Sequence, residues 1–473
     1  MCSFSLSAED EEVFMRKRLV SIMLTAAMTM ALLAGCSSGG TTAPAPAAST
    51  DTAASTAASA EVSAPAEEAS TAEAPAAGGE VLDFYHAYYH DVETWPVAEV
   101  MRSIYQDFAD AHANDACTFN AIAVENVLEI ATNEVAGGSF PDMVDLAGNE
   151  VPLAAIAQNL VIDLKPYIDS EGLVSKVGIN YTMNDKDGHI YSVHDQLETL
   201  GLWYNADIYE AAGASTPDQW NTYDDMAAAM EAIRTYGEAD GIYAYSAGQG
   251  SMRMFNTYMG ILNPEYASNE LTADVVNSDE FVTAFTTVAN MDQANGSANA
   301  QDNVGNFSGD FNSGLCATFL NGVWAAGGFG DATGDIHAGI YPGSASLSAP
   351  GGGLTIASGL SEAQEALALE FVKYMTSDEV QERIFLEVNA NPCNTDIDLT
   401  ALAASSDSET VRLLAEACSL ANAADHIVNT TANVWGEDVN NAIVNKLIEC
   451  SVSGTDIDAK CAELQAELIG LIG

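Results

Sequence analysis

The chain reads Tyr85-His86-Ala87-Tyr88-Tyr89-His90 directly after a β-like run, Val81 to Tyr85. Tyrosine can stack on a flat ligand face and donate a hydroxyl hydrogen bond, and histidine can do either. Loops that follow strands carry function disproportionately, so His86, Tyr88 and Tyr89 are candidate ligand contacts, and a packed aromatic cluster beneath a following helix is the competing reading. Asp145 and Asn149 end a second β-like run, Asp142 to Leu146, and are placed in the same way. Patterns that resemble catalytic motifs fail on inspection. Gly35-Cys36-Ser37-Ser38-Gly39 matches a GxSxG pattern but has no strand before it and no helix after it. Asp185-Lys186-Asp187-Gly188 begins like a calcium loop, yet its twelfth position is His194 where a bidentate glutamate is needed, so a hairpin turn is the better reading. There is no HExxH, P-loop or complete GxGxxG. With 68 Asp and Glu in the chain, carboxylate pairs of the kind a glycoside hydrolase uses are too common to discriminate.

Those 68 acids stand against 14 Lys and Arg in 473 residues, a formal net charge of -54. Nucleic-acid binding needs a broad basic surface that this composition cannot assemble. A basic triplet, Arg16-Lys17-Arg18, precedes an apolar stretch from Leu19 to Ala34, which is a secretion signal too short to span a bilayer comfortably. The segment from 1 to 14 suits no such signal, and Met15 is read as the translation start. Leu33-Ala34-Gly35-Cys36 resembles a bacterial lipobox, which makes Cys36 the expected site of lipidation and implies membrane attachment through a lipid only. Residues 37–79 hold 16 Ala, 13 Ser or Thr, 4 Pro and 4 Gly, with no aromatic, Lys or Arg. Such a segment buries too little apolar surface to order itself and reads as a flexible tether. The body from residue 80 onward keeps six cysteines, with no CxxC pair and no metal-like spacing. Cys450 and Cys461 flank a turn at Ser453-Gly454-Thr455 and are the pair best placed to meet, although sequence does not decide whether any disulfide forms.

The elements that must hold these residues alternate. After the first strand, Pro96 opens a helix with Val97, Val100, Met101, Ile104, Tyr105 and Phe108 at helical spacing. Thr118 to Val124 alternates as a strand, and Asp142 to Leu146 is another. This β-α-β-α-β beginning packs as a parallel sheet with helices on both faces. Ser361 with Gln364 forms a capping box ahead of Leu367, Phe371, Tyr374 and Met375, and Ser377 caps a second helix that stops at Asn391-Pro392. Nearly 400 residues of α/β pattern exceed one core, so two lobes are expected; no internal repeat is present.

The order of short motifs adds to this. Ser139-Phe140-Pro141-Asp142-Met143-Val144 precedes Asp187-Gly188-His189-Ile190-Tyr191-Ser192-Val193, then Glu198 to Asn205, Ala212-Gly213 with Pro217 and Trp220, Phe311-Asn312-Ser313-Gly314, Gly322-Val323-Trp324, and Gly351-Gly352-Gly353. In this order and over the whole body the sequence resembles the extracellular solute-binding proteins of ABC importers, in particular the family-1 carbohydrate binders. His194 departs from the family, which often has a proline there, and the aromatic burst after the first strand is richer than usual. The resemblance implies an α/β, two-lobed periplasmic-binding-protein-like fold of type II, with lobes joined by crossing hinge strands and a cleft between them. Lobe I is placed at 80–198 and 352–398 and lobe II at 199–350 and 405–473, with hinge glycines Gly351, Gly352 and Gly353. In such folds ligands lie beyond the carboxyl ends of strands.

The resemblance further implies that Trp324 stacks a sugar ring, that Glu198 accepts sugar hydroxyls, and that Trp435 forms an aromatic wall, with helix packing the alternative for Trp435. The expected function is capture of a sugar or oligosaccharide by lobe closure and delivery to ABC transporter permease subunits. The protein is expected to act as a monomer on the extracellular face of the cytoplasmic membrane, with no cofactor, no metal, no chemistry performed and no nucleic-acid partner. The alternatives are a secreted glycoside hydrolase, or a binding protein for a peptide or polyamine.

Overall fold

The computed structural model describes residues 79–92, 94–147, 150–263, 265, 271–297 and 307–472. The signal, Cys36 and the tether lie outside the described residues, as does Asn149. Among the described residues no helix is long and apolar enough to cross a membrane.

The first lobe grows from strand β1 (Glu80–His86), whose alternate residues Leu82, Phe84 and His86 are buried. Helix α1 (Pro96–Ala111) follows with proline in its first turn and buries Met101, Ile104, Tyr105 and Phe108. Then come β2 (Cys117–Ala123), α2 (Val127–Gly137) and β3 (Met143–Ala147), with β1 parallel to both β2 and β3. The β-α-β-α-β beginning is present as expected. The Asp187-Gly188 turn joins two two-residue strands at Asp185–Lys186 and His189–Ile190, both turn residues having positive φ, as a tight hairpin requires.

The chain then passes through β4 (Gln196–Leu200) into β5 (Leu202–Asn205) and the second lobe. There β6 (Tyr243–Tyr245), α3 (Gln249–Leu262), α4 (Asp279–Asn295), β7 (Cys316–Phe319) and β8 (Ile336–Gly339) follow, and β5 to β8 make one sheet in the order β8-β5-β7-β6. Next, β9 (Ala345–Ala349) returns beside β4, and β10 (Gly352–Ile356) adds an antiparallel edge to β3. Helix α5 (Glu362–Met375) starts with the full Ser361–Gln364 capping box and lays Phe371 on the first sheet, 5.0 Å from the Phe84 ring and 4.5 Å from Phe119. Ser377 caps the next short helix through the Val380 N–H. Asn391–Pro392 is itself a short strand, β11, paired with β4. The chain closes with α6 (Glu409–Asn422), β12 (His426–Val428), α7 (Glu437–Cys450) and α8 (Ile457–Ile472).

Two cores result in each lobe. One joins Leu82, Phe84, Phe119, Leu354 and Phe371, and a smaller one joins Val127, Val135, Val144 and Ala357 on the opposite face of that sheet. In the second lobe a large core runs from Leu202 and Phe255 to Leu468, with a neighbour around Trp203, Phe311 and Leu414. Between the lobes lies a third sheet, β11-β4-β9-β12. Its side chains meet at the Thr199 hydroxyl, 2.8 Å from the Ser348 hydroxyl and accepting from Asn391 Nδ2 at 2.8 Å. All six cysteines of the body are free and buried, Cys450 and Cys461 included. That pair forms no disulfide; both thiols sit in the large second-lobe core.

Two buried details fix local geometry in the two lobes. Gly353 has φ +113 and lies so close to the backbone of His194 that a Cβ would sit 2.4 Å from its N and Cα, whereas Gly351 has ordinary φ and its Cβ would first meet Glu198 Oε2 at 3.4 Å. Gly353→Ala is therefore expected to lower the melting temperature by several degrees, corresponding to roughly 1 to 3 kcal/mol of backbone strain, while Gly351→Ala stays near wild type. Equal melting temperatures in a calorimetric scan would refute that reading of Gly353. The second detail is Asp292 on α4, 2% exposed, which accepts from Tyr245 Oη at 2.6 Å and Ser251 Oγ at 2.8 Å through Oδ1 while Oδ2 has no partner. Burial pushes its carboxyl up to about 7, against the two hydrogen bonds that lower it. A carboxyl with a raised folded pKa favours the folded state in its neutral form, so this contribution fades as pH rises from the ordinary carboxylate range through about 7. Asp292→Asn can keep both accepted hydrogen bonds. Urea unfolding at about pH 4.5 and about pH 8 should show the variant gaining on wild type at the higher pH by more than about 1.4 kcal/mol, the equivalent of one pKa unit. A pH-independent difference would count against it.

Candidate ligand-binding cleft

On the first-lobe side, the carboxyl end of β1 leads into the aromatic loop. His86 is 1% exposed, its ring 4.9 Å from Tyr105 and 5.6 Å from Phe84, and its Nδ1 accepts the Tyr88 N–H. Burial, assisted by the Arg102 charge, pulls its pKa down to about 4, so the ring is neutral. His86 thus belongs to the aromatic packing beneath α1. Tyr88 stacks on Trp95 at 5.1 Å and its hydroxyl accepts from Gln196 Nε2 at 2.9 Å, which ties the loop to the first residue of β4. Arg102 Nη1 donates to the carbonyls of Tyr88 and His90, at 2.7 and 2.6 Å, and holds the loop's shape. Tyr89 is 40% exposed, with its ring 4.0 Å from that of His90.

Asp145 sits on β3 opposite Leu354 of β10. Next to it in charge is Asp195, fully buried, with neither carboxylate oxygen hydrogen-bonded, and the nearby Tyr105 hydroxyl is also without a partner. Burial raises both carboxyls; the Asp145 charge raises Asp195 further and His194 opposes the rise in both. The chain around His194 is pinned by Asn180, whose Oδ1 accepts the His194 N–H at 2.8 Å and whose Nδ2 donates to its carbonyl at 3.0 Å.

Glu198 follows on β4, opposite Ala349. Strand alternation turns Thr199 into the inter-lobe junction and Glu198 to the other face, where Gly351 leaves room beside its carboxylate and beside the Asn433 amide, 3.5 Å from the position of a Gly351 Cβ. Burial raises the Glu198 carboxyl, while His194 and Arg253 oppose the rise. Arg253, on α3, donates from Nη1 to the Leu320 carbonyl at 2.5 Å. Leu320 opens the turn that carries Trp324. The Trp324 ring lies across Gly322, where a Cβ would meet ring carbons at 2.3 to 2.4 Å, and the Gly322 carbonyl accepts from Trp203 Nε1 at 3.2 Å. Trp324 is partly buried against the second-lobe core. Trp435 is 9% exposed inside that same core, its ring 6.4 Å from Phe281.

The structure thus places Asp145 on β3, Glu198 on β4 and Trp324 on the turn after β7, ties Tyr88 to β4 through Gln196, and packs His86 and Trp435 into the cores. Sequence reading missed Asp195, Gln196, Arg253 and Asn433. The signal for Arg253 was present, because a basic residue between Met252 and Met254-Phe255 interrupts an apolar helical run in a chain with only 14 basic residues.

The family model of bacterial extracellular solute-binding proteins matches residues 103–409. Among solved structures, a Streptococcus pneumoniae solute-binding protein in complex with the blood group A-trisaccharide is 46% identical, with a TM-score of 0.72 over 83% of this chain and 100% of that one. The sugar-binding protein MalE from Xanthomonas citri gives a TM-score of 0.65 at 18% identity, over 83% of this chain and 97% of that one. Apo RafE from Streptococcus pneumoniae gives 0.60 at 16%, over 84% and 99%. At such identities these last two share the fold alone. No curated protein matches the chain. With a family model spanning most of its body and a 46% identical relative covered end to end, the chain belongs to the bacterial extracellular solute-binding proteins.

Proposed function

We propose that this protein captures a carbohydrate between its lobes and hands it, chemically unchanged, to the permease of an ABC importer while anchored to the membrane by a lipid on Cys36. The observation that carries the reading is the 46% identity, over 83% of this chain and the whole of the other, to a solute-binding protein solved with the blood group A-trisaccharide. The cleft chemistry supports it. A neutral sugar offers hydroxyls around its rim and an apolar face, and Glu198, Arg253 and Trp324 supply an acceptor, a donor and a flat apolar surface. The lobes we assign to 80–198 with 352–398 and to 199–350 with 405–473 would close on the ligand by rotation at Gly351 to Gly353, as positive φ at Gly352 and Gly353 favours. A ligand that touches both lobes stabilises the closed form by its differential affinity.

Thermal shift with the blood group A-trisaccharide, raffinose and maltotriose tests the ligand class, because binding to the folded state alone raises the melting temperature. At least one should stabilise the wild type, and sugar products appearing on incubation would instead establish hydrolysis. Trp324→Ala and Glu198→Gln are expected to weaken binding of that sugar clearly, by roughly 1 to 3 kcal/mol for an unmet polar group, with little change in the melting temperature of the empty protein. Wild-type affinity in both would remove these two residues from the site. Cys36→Ser should move the protein from the membrane fraction to the medium; unchanged fractionation would refute the anchor.

A further inference from the structure

His337 stands on β8 with a carboxylate at each ring nitrogen. Its Nδ1 lies 3.1 Å from Glu416 Oε1, on α6, and its Nε2 lies 3.2 Å from Asp335 Oδ2, in the turn that leads into β8. A neutral imidazole has one N–H and one lone pair, so it can serve one of these carboxylates and must turn its lone pair on the other. The imidazolium donates to both, and the geometry selects that form. Burial alone lowers the His337 pKa, and the Glu416 and Asp335 carboxylates more than offset it, leaving it above the ordinary histidine value. Around the ring, Arg412 of α6 reaches Glu416 Oε2 at 3.2 Å and Glu409 Oε1 at 2.6 Å. Tyr204 of β5, the cross-strand partner of His337, lies 5.7 Å away ring to ring as a phenol that burial keeps neutral, with Asp218 beyond it. Asp207 accepts the Asp335 N–H at 3.3 Å. With His337 neutral, Asp335, Glu409 and Glu416 therefore face Arg412 alone. At 30% exposure the side chain exchanges protons with solvent.

The helix held in this way reaches the junction between the lobes. Its later turns bury Ala415, Ala417, Cys418 and Ala421 in the core that also holds Trp203, Val323, Ile336 and Ala338. A cavity of about 10 Å³ stays open beside Ala417 and Ala421, bordered by Trp203, Val323, Gly339 and Ser346, so small side chains leave this half of α6 incompletely packed. At its last residue Asn422 exchanges two side-chain hydrogen bonds with Asn391 of β11, at 3.0 and 3.3 Å, and Asn391 holds the Thr199 hydroxyl. We propose that His337 is a pH-operated latch on α6: protonated, it ties Glu416 to Asp335 and clamps the helix to the second-lobe sheet; deprotonated, it gives up one carboxylate, and α6 loosens together with its Asn422 hold on the strand junction. A group with a raised folded pKa favours the folded arrangement in its protonated form, so the clamp is complete below roughly pH 6.5 and is lost as pH rises through the folded value. The stiffness of the crossing then follows the acidity of the medium, whatever solute the cleft takes.

The test is hydrogen exchange read by mass spectrometry at about pH 5.5 and about pH 8.5, corrected for the intrinsic pH dependence of amide exchange, on peptides covering α6 and the segment around Asn391. Helix α7, in the same lobe, is the reference, so that a change common to the whole lobe cancels. In wild type the protection of α6 relative to α7 should fall at least about tenfold at the higher pH, and the Asn391 segment should follow it. His337→Gln and Glu416→Gln should each abolish that pH dependence. Asn422→Ala should keep it in α6 and lose it around Asn391. Wild-type α6 tracking α7 at both pH values, or an undiminished pH dependence in His337→Gln, overturns the latch. A pH response around Asn391 that survives Asn422→Ala overturns its connection to the junction. Should His337→Gln not fold, NMR titration of carbon-13-labelled histidines decides: the His337 pKa should lie above roughly 6.5 in wild type and drop in Glu416→Gln, and a wild-type value at or below that overturns the proposal.

Discussion

The Thr199 hydroxyl is where the two lobes are joined. It meets Ser348 from the returning strand and Asn391 from the third segment that runs between the lobes, and Asn391 in turn donates to Asn422 at 3.0 Å. Three passages of chain spread over some two hundred positions are thereby held in one small buried network with its polar groups satisfied. Such a network specifies register as well as binding the strands, because a slip of one residue along β4 would turn Glu198 into the junction and Thr199 into the cleft. The position of the candidate acceptor for a ligand is set by the residue beside it.

Much else follows from that register. Gln196, two residues before Glu198, points to the same side of the strand and reaches Tyr88, so the aromatic loop of the first lobe is hung from the strand that presents Glu198. On the other side, β5 continues directly from β4 and pairs with β7, whose carboxyl end gives Leu320 and the Trp324 turn. One strand and its continuation thus determine where the contributions of both lobes stand relative to each other. Shape and chemistry in the cleft are properties of the crossing more than of either lobe.

The α/β beginning, the Pro96 helix, the Ser361 capping box and the Asp187-Gly188 turn were legible because each depends on neighbours within a few residues. Glu198 and Trp324 could be singled out because the order of motifs around them carries a resemblance over the whole body. Trp324 and Trp435 show where that ends. Each follows a valine in the sequence, yet one lies over a glycine at a turn and the other is enclosed by Phe281 and its neighbours, a distinction made entirely by distant packing. The Asp145–Asp195 pair and the Arg253–Glu198 relation were illegible for the same reason, since each joins segments with about 50 residues between them and no periodicity links such positions.

The six buried thiols have a consequence for how the chain reaches its folded state. Burial raises the pKa of all six, so little reactive thiolate exists once folding is complete. Before that, every sulfur is exposed to oxidants and to the others, and any disulfide formed would be non-native. Folding and oxidation therefore compete for the same atoms. A chain of this kind gains nothing from an oxidase in its folding compartment and is protected by collapsing quickly, so its chemistry suits a cell whose exported proteins fold without obligatory cross-links.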